Sequence, residues 1–536
     1  MTVSSWPCIE AEAARVSEID LQTIMGRRSI ADFVWTAPHL EVDVIKRAHD
    51  DRSMAAMQAF AAERDLPGQI ARLFSGGIVN VSEGRPALHW ALRGGGAGVS
   101  AIDDIRVEAA RAAVFAAEAA AGELGYRVET ILHVGIGGSD LGPRLIWDAL
   151  RNHSRKGPDI RFCANIDPDD FVEATMGVDP ATTLVIVVSK SFTTPETAAN
   201  AQLARDWLAA GVGEVRANEH LAAVSSAPEK ARAWGASGAR VFAMSEAVGG
   251  RYSVWSSVGL SLQIALGADV WKRFLAGAAE MDDHFRTTPM ERNTPARLAM
   301  MDVWFHTALD VPSRTVLAYA HRLRKLPDFL QQLEMESNGK SVASGPGGML
   351  PVTAPVVWGS AGTLSQHSFH QLLHQGMRET AIEFVVTLGA GNGDRERGRA
   401  LLANAFAQAE ALLAGRPAAD AEAQLLKQGV EASEAKERAR HMAMHAGHGS
   451  TTILLDDLSP ESVGALIALY EHRTFAAGVL WGINPFDQWG VERGKVLAAE
   501  LDAAIAGGET GQRDPSTMRL VERARIKFAG RLPEKE

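Results

Sequence analysis

Residues Thr183 to Val188 read Thr-Leu-Val-Ile-Val-Val, a run with no charge and no alternation of polar and apolar positions. A strand with one wet face alternates. A continuous, mostly β-branched run of this length predicts a strand buried on both faces, and such strands need helices packed above and below them. The run stops at Ser189-Lys190-Ser191-Phe192-Thr193-Thr194-Pro195. Thr194 suits a helix N-cap and Pro195 the first helical position. An earlier stretch follows the same grammar. Ala-rich Asp103 to Gly122 predicts a helix, and Glu129 to Val134 a short, mostly apolar strand. Gly135 to Gly142 is then a glycine turn, with a helix beginning near Pro143. Strands alternating with helices predict a mainly parallel α/β sheet.

At 536 residues, the chain has room for roughly three to four compact units of about 150 residues, or two larger ones. No long Ser/Gly linker separates the pieces, which favours two tightly packed domains. From Asp282 onward the chain reads as more helical, with a turn-rich stretch at Ser344 to Pro355 and a helical one at Ala400 to Met444. Gly507 to Pro515 leads into a charged tail. The 46% hydrophobic content excludes disorder as the main state, and two cysteines exclude a disulfide scaffold or a multi-cysteine zinc module. The net charge of -11 argues against a nucleic-acid partner and means that an anionic substrate must find a local positive site. No run of about 18 apolar residues predicts a membrane span. Met1 to Asp20 lacks the basic start and apolar stretch of a leader. These features predict a cytoplasmic protein.

Several segments could carry chemistry. The turn Gly135 to Ser139 lets backbone N–H groups approach a ligand, but Asp140 stands where a dinucleotide fingerprint wants its third glycine, and no acidic residue is well placed after the next strand. Ser189, Ser191, Thr193 and Thr194 set four hydroxyls beside Lys190 at a helix N-terminus, a pattern that suits a phosphate monoester. Capping alone would explain fewer of them. In Gly249-Gly250-Arg251, the glycines permit close approach and Arg251 could face a developing oxyanion, although a structural ion pair is the commoner fate of an arginine. Gln332 and Glu336 fall four apart on an expected helix ended by Asn338-Gly339, and a Glu partly withdrawn from water could act as a general base. His367, His370 and His374 share an expected helix, but their spacing is poor for a metal. Gln488 and Lys495 are seven apart, about 10 Å along one helix face, and could address two ends of one ligand.

Taken together, these segments, with Ser82 to Arg93 and Tyr470 to Gly478, resemble the glucose-6-phosphate isomerase (phosphoglucose isomerase) family from about Gly77 to Arg525. The resemblance implies an α/β fold of two sugar-isomerase-type domains with mainly parallel sheets flanked by helices. We expect the smaller domain over 101–270, the larger over 1–100 and 271–510, and a tail over 511–536. It implies reversible exchange of glucose 6-phosphate and fructose 6-phosphate through ring opening and an enediolate, with no metal or other cofactor. It implies that Ser189, Lys190, Ser191 and Thr194 hold the phosphate, with Gly138 and Ser139 nearby, and that Gln332 and Gln488 contact the substrate. Glu336 matches the proton-carrying base, Arg251 the residue that steadies the enediolate, and His367 and Lys495 the groups that assist ring opening. It further implies a homodimer with His367 contributed across the interface. Ser191 replaces a usual threonine, and the stretches near Ser360 and His445 depart from the family pattern. The alternatives are a sugar-phosphate sensor without turnover, which would need no base, and a nicotinamide oxidoreductase, against which the poor fingerprint speaks.

Overall fold

The run Thr183–Val188 forms the central strand of a five-stranded parallel sheet. The computed structural model describes residues 5–96, 99, 102–154, 157–345, 348–389 and 393–528. Residues 1–4, and 529–536 of the expected tail, lie outside them. In chain order the strands are β1 (Val34–Ala37), β2 (Leu40–Asp43), β3 (Ile78–Asn80), β4 (Arg85–Pro86), β5 (Thr130–Val134), β6 (Asp159–Cys163), β7 (Thr183–Val188), β8 (Leu221–Ser225), β9 (Val241–Ala243), β10 (Ser313–Tyr319), β11 (Val356–Ala361), β12 (Ala381–Thr387) and β13 (Ser450–Leu455).

The chain divides into two compact units, Met1–Phe486 and Asp487–Glu536. The first contains both large sheets. One runs β6-β5-β7-β8-β9, parallel throughout. The other runs β1-β2-β13-β12-β10-β11, where the last four are parallel and the β1–β2 hairpin joins antiparallel to β13. Both faces of the first sheet are covered, as the unbroken run requires. Leu184, Ile186 and Val188 enter the main core, while Val185 and Val187 pack beneath helix Pro195–Val212 with Ala201, Ala204 and Leu208. The second sheet likewise turns Val316 and Ala318 to the main core, and Leu317 and Tyr319 toward helix Arg395–Ala414. Helix Pro460–Trp481 is buried along nearly its whole length and packs on helix Ala268–Thr287.

The expected helix at Asp103 is Asp103–Ala121, and Gly122 closes it in the left-handed region. The stretch after Asp282, expected to be more helical, carries its helices together with four strands of the second sheet. The second unit holds helices Glu492–Ile505 and Pro515–Phe528.

His49, His89, His133 and His306 are among the histidines sealed in the interior. Burial pushes all four below the ordinary 6.5, His133 and His306 to about 4. The folded chain keeps these rings neutral, whereas the unfolded chain protonates them below 6.5. Stability from them is therefore full above pH 6.5 and falls as pH drops from 6.5 toward 4, by up to about 3 kcal/mol for each of His133 and His306. The urea midpoint is expected to decline across that window; a flat midpoint would contradict four buried neutral rings.

Candidate active site

In an open parallel sheet, a crevice forms where the chain leaves adjacent strand ends in opposite directions. In the first sheet β5 has β6 on one side and β7 on the other. The segments leaving β5 and β7 are the glycine turn Gly135 to Ser139 and the loop Ser189 to Thr194.

The glycine turn is fastened from below. His133, the penultimate residue of β5, donates from Nε2 to the Ser139 carbonyl at 2.7 Å, which leaves Nδ1 to accept from the Ser261 hydroxyl at 2.9 Å. Gly138 has no room for a side chain: a Cβ would lie 2.2 Å from the Gly250 carbonyl and 2.6 Å from the Arg251 nitrogen. The turn is thus seated directly on Gly249-Gly250-Arg251. A Cβ at Gly137, whose φ is +61°, would lie 3.1 Å from Gln332 Nε2, so the Gln332 amide abuts the same turn.

Arg251 is buried and held on several sides. Its Nε donates to Ser337 Oγ at 2.6 Å and its Nη2 to the Pro485 carbonyl at 2.8 Å, while Nη1 stands 3.7 Å from Glu336 Oε2. The Tyr252 hydroxyl meets the same Ser337 Oγ at 3.1 Å, and burial pushes its phenol up. The Glu336 side chain keeps 23% of its surface exposed against 2% for Arg251. It is therefore open to a ligand on one side and faced by a fixed cation on the other.

The helix carrying Gln332 and Glu336 is not the regular one expected. Leu326–Leu330 is α-helical, but Gln331–Glu336 is a π-helix. The wider turn, with its i→i+5 bonding, replaces the simple four-residue repeat, and such segments concentrate at functional sites. Glu334 points inward and pairs with Arg314 of β10, both being 1% exposed. Beyond the segment, Lys340 Nζ donates to the carbonyls of Glu336, Ser337 and Asn484 at 3.0, 2.9 and 3.1 Å, a cation at a helix C-terminus.

The Ser/Thr loop is folded on itself. Ser189 Oγ accepts from the Phe192 N–H at 3.1 Å, and Phe192 takes the left-handed φ of +52°. Ser191 Oγ accepts from Thr193 Oγ1 at 2.9 Å. Thr194 occupies the N-cap of Pro195–Val212, yet its side chain makes no capping bond. Lys190 Nζ lies 3.0 Å from Glu246. Burial pushes the Glu246 carboxyl up, but Lys190 and Arg85 outweigh it and hold that carboxyl below the usual range.

The other expected residues sit elsewhere in the pattern. His367 ends a short 3-10 turn, Leu364–His367, separate from helix His370–Gln375, so the three histidines do not share one helix. The ring of His367 is exposed and bonds to none of the described residues, whereas His370 and His374 both meet Gln408 Oε1, at 3.0 and 2.9 Å. In the second unit Gln488 precedes a 3-10 turn, Trp489–Val491, and Lys495 lies in the following helix, so the two are not on one helix face as their spacing suggested. Lys495 pairs with Glu492 at 2.8 Å. Sequence reasoning missed Ser337, His133 and Glu334. The usable signal for His133 was a polar ring inside an otherwise apolar strand.

The structure therefore brings Gly138, Arg251, Gln332 and Glu336 together, and the Ser189–Thr194 loop opens on the same crevice. The phosphoglucose isomerase family model matches residues 43–521. A glucose-6-phosphate isomerase of a Caulobacter species is 43% identical over 98% of this chain and 99% of its own length. That of Caulobacter vibrioides is 47% identical over 90% of this chain and 92% of its own. Among solved structures, a glucose-6-phosphate isomerase from Chlamydia trachomatis superposes with a TM-score of 0.82 at 31% identity, covering 98% of this chain and 99% of that one.

The Glu334–Arg314 pair fixes the π segment from inside. Glu334→Gln leaves a buried guanidinium short of its partner and is expected to lower unfolding free energy by about 3–5 kcal/mol in urea titration. A loss below about 1 kcal/mol would show that the pair does not anchor this segment.

Proposed function

The chain belongs to the phosphoglucose isomerase family, and on that premise we propose how its residues divide the chemistry. The activity is that of a glucose-6-phosphate isomerase, the reversible interconversion of glucose 6-phosphate and fructose 6-phosphate. The observation that best supports our assignment is the Glu336 carboxylate held 3.7 Å from the buried Arg251 guanidinium, beside the glycine turn. Glu336 takes the proton from C2 of the open-chain aldose, an enediolate forms with its charge on O1, the O2 hydroxyl proton passes to O1, and the same carboxyl returns its proton to C1 as O2 becomes the ketone oxygen. Arg251 faces the enediolate oxygen, where a fixed cation in a site shielded from water stabilises developing charge. Ser189, Lys190, Ser191 and Thr194, with Gly138 and Ser139, bind the phosphate. That anchor lets remote binding energy position the reacting carbons. Gln332 contacts the sugar. Gln488 and Lys495 keep the roles that the resemblance gives them, a substrate contact and assistance to ring opening. A sensor would need no carboxylate beside a cation, and the family assignment favours the enzyme.

We also propose a cytoplasmic homodimer in which His367 assists ring opening in the partner's site. Its exposure and its ring's lack of a bond within the described residues support this reading. Among the described residues no helix is long and apolar enough to cross a membrane.

Purified protein should turn over fructose 6-phosphate, read by a coupled dehydrogenase, at a rate that excess chelator does not change. Glu336→Gln should fall by about 10²–10⁴-fold with the fold intact, and near-normal activity in it would remove Glu336 as the base. Gly138→Ala, which pushes the turn off Gly250, should lose on the order of 10²-fold. Mixing inactive Glu336→Gln with inactive His367→Ala subunits should restore activity, because one site of each mixed dimer then carries neither change. No recovery from verified mixed dimers would place His367 in its own chain's site.

A further inference from the structure

The second sheet repeats the topology of the first. β10 has β11 on one side and β12 on the other, so the chain also leaves the ends of β10 and β12 in opposite directions. A cavity of 480 Å³ lies at these strand ends, within the size range of small-molecule sites. Arg322 lines it just after β10 and Thr387 at the end of β12, with Arg151 and Arg397 from adjoining helical segments. Leu402 and Leu458 give it an apolar wall.

The charge in this crevice is unbalanced. Three guanidiniums line it against one carboxylate, Asp394, which is already engaged: it accepts from the Arg397 N–H at 3.0 Å and stands 3.4 Å from Arg397 Nε. Among the described residues Arg151 has only a distant ion-pair partner, Asp148 at 4.0 Å. Arg322 is half-buried and donates to the Ala149 carbonyl at 2.9 Å, and no carboxylate of the described residues lies within ion-pairing distance of it. A partly buried guanidinium without a direct ion pair is costly: burial pulls its affinity for the proton down, and the more distant Asp457 only partly offsets this.

We propose that this crevice is a second ligand site, which takes a small organic phosphate. The guanidinium fork of Arg322 meets the phosphate, Arg151 and Arg397 add positive charge, and the leucines cover the ligand's apolar body. The inference goes beyond the isomerase reading and does not depend on the roles given to Glu336 or Arg251.

The test removes the first crevice's phosphate loop with Ser191→Ala and Thr194→Ala in the full chain. In that background, phenyl phosphate titrated by calorimetry should bind with one equivalent per chain. Adding Arg322→Gln should weaken it by about ten-fold or more, and Arg322→Lys by less, because the ammonium keeps the charge but loses the fork. Arg397→Gln changes an exposed side chain and supplies a second variant with the fold undisturbed; it should weaken binding as well. In the otherwise unmodified chain, Arg322→Gln should leave turnover of fructose 6-phosphate within about two-fold. No binding in the loop-deficient background overturns the proposal, and so does binding that neither arginine variant weakens.

Discussion

A set of charges sealed beneath the second sheet fixes the geometry of the site above it. Arg314 joins Glu334 and Asp302, the latter at 3.1 Å, and Arg473 joins Asp302 and Glu383 at 2.6 Å each. Tyr470 donates to Glu383, and Arg47 donates to Thr451 Oγ1 and the Ile382 carbonyl nearby. Three carboxylates thus meet two guanidiniums away from water, with the Arg47 guanidinium close by on neutral acceptors. Burial pushes Asp302 and Glu383 up, but Arg473 and Arg314 outweigh it, and both carboxyls stay below their usual range. In a medium of low dielectric no member can leave without stranding another. Glu334 is one of them, so the π segment cannot rotate. Glu336, two residues on, inherits its outward direction from that anchor, and Ser337 then reaches Arg251.

A second buried network ties the opposite flank. Arg93 meets Asp282 at 2.7 Å and also Glu471, whose other oxygen accepts from Trp255 Nε1 at 2.8 Å, while His472 reaches Asp282 at 2.7 Å. This explains why Ser82 to Arg93 and Tyr470 to Gly478 carry charges inside apolar stretches. Arg93 from the first and Glu471 and His472 from the second share one cluster with Asp282, while Arg473 belongs to the first network, and Trp255 places the shared cluster four residues from Arg251.

These networks also decide what could be read in the chain. β7 was legible because nothing interrupts it. β10 reads Ser-Arg-Thr-Val-Leu-Ala-Tyr and β12 Ala-Ile-Glu-Phe-Val-Val-Thr. Arg314 and Glu383 interrupt those runs, and a run with a charge in it looks like part of an amphipathic helix. The second sheet was hidden by the very groups that stabilise its core. The residue types of the site were legible from chemistry, since four hydroxyls around a lysine exceed what capping needs, and glycines before an arginine permit a close approach. Their mutual placement was not. A π turn has no local signature distinct from an α turn, and the burial of Glu334 is set by a strand twenty residues earlier. The seven-residue spacing of Gln488 and Lys495 misled because it presumed a helix that begins only at Glu492.

The two strand-end crevices show why one fold can separate binding from chemistry. The first sets the hydroxyls of the Ser189–Thr194 loop beside Lys190 and, across the glycine turn, a carboxylate that is partly exposed and faces the buried Arg251. The second has cations and an apolar wall, but its one lining carboxylate is tied to a helix N-terminus by Arg397. A carboxylate that caps a helix and faces a guanidinium is held in place and stabilised in its charged form, which makes it a weaker base than one left partly free. The second crevice is therefore better equipped to hold an anion than to move a proton. The difference lies in which loop supplies the acid, not in the sheet that positions it.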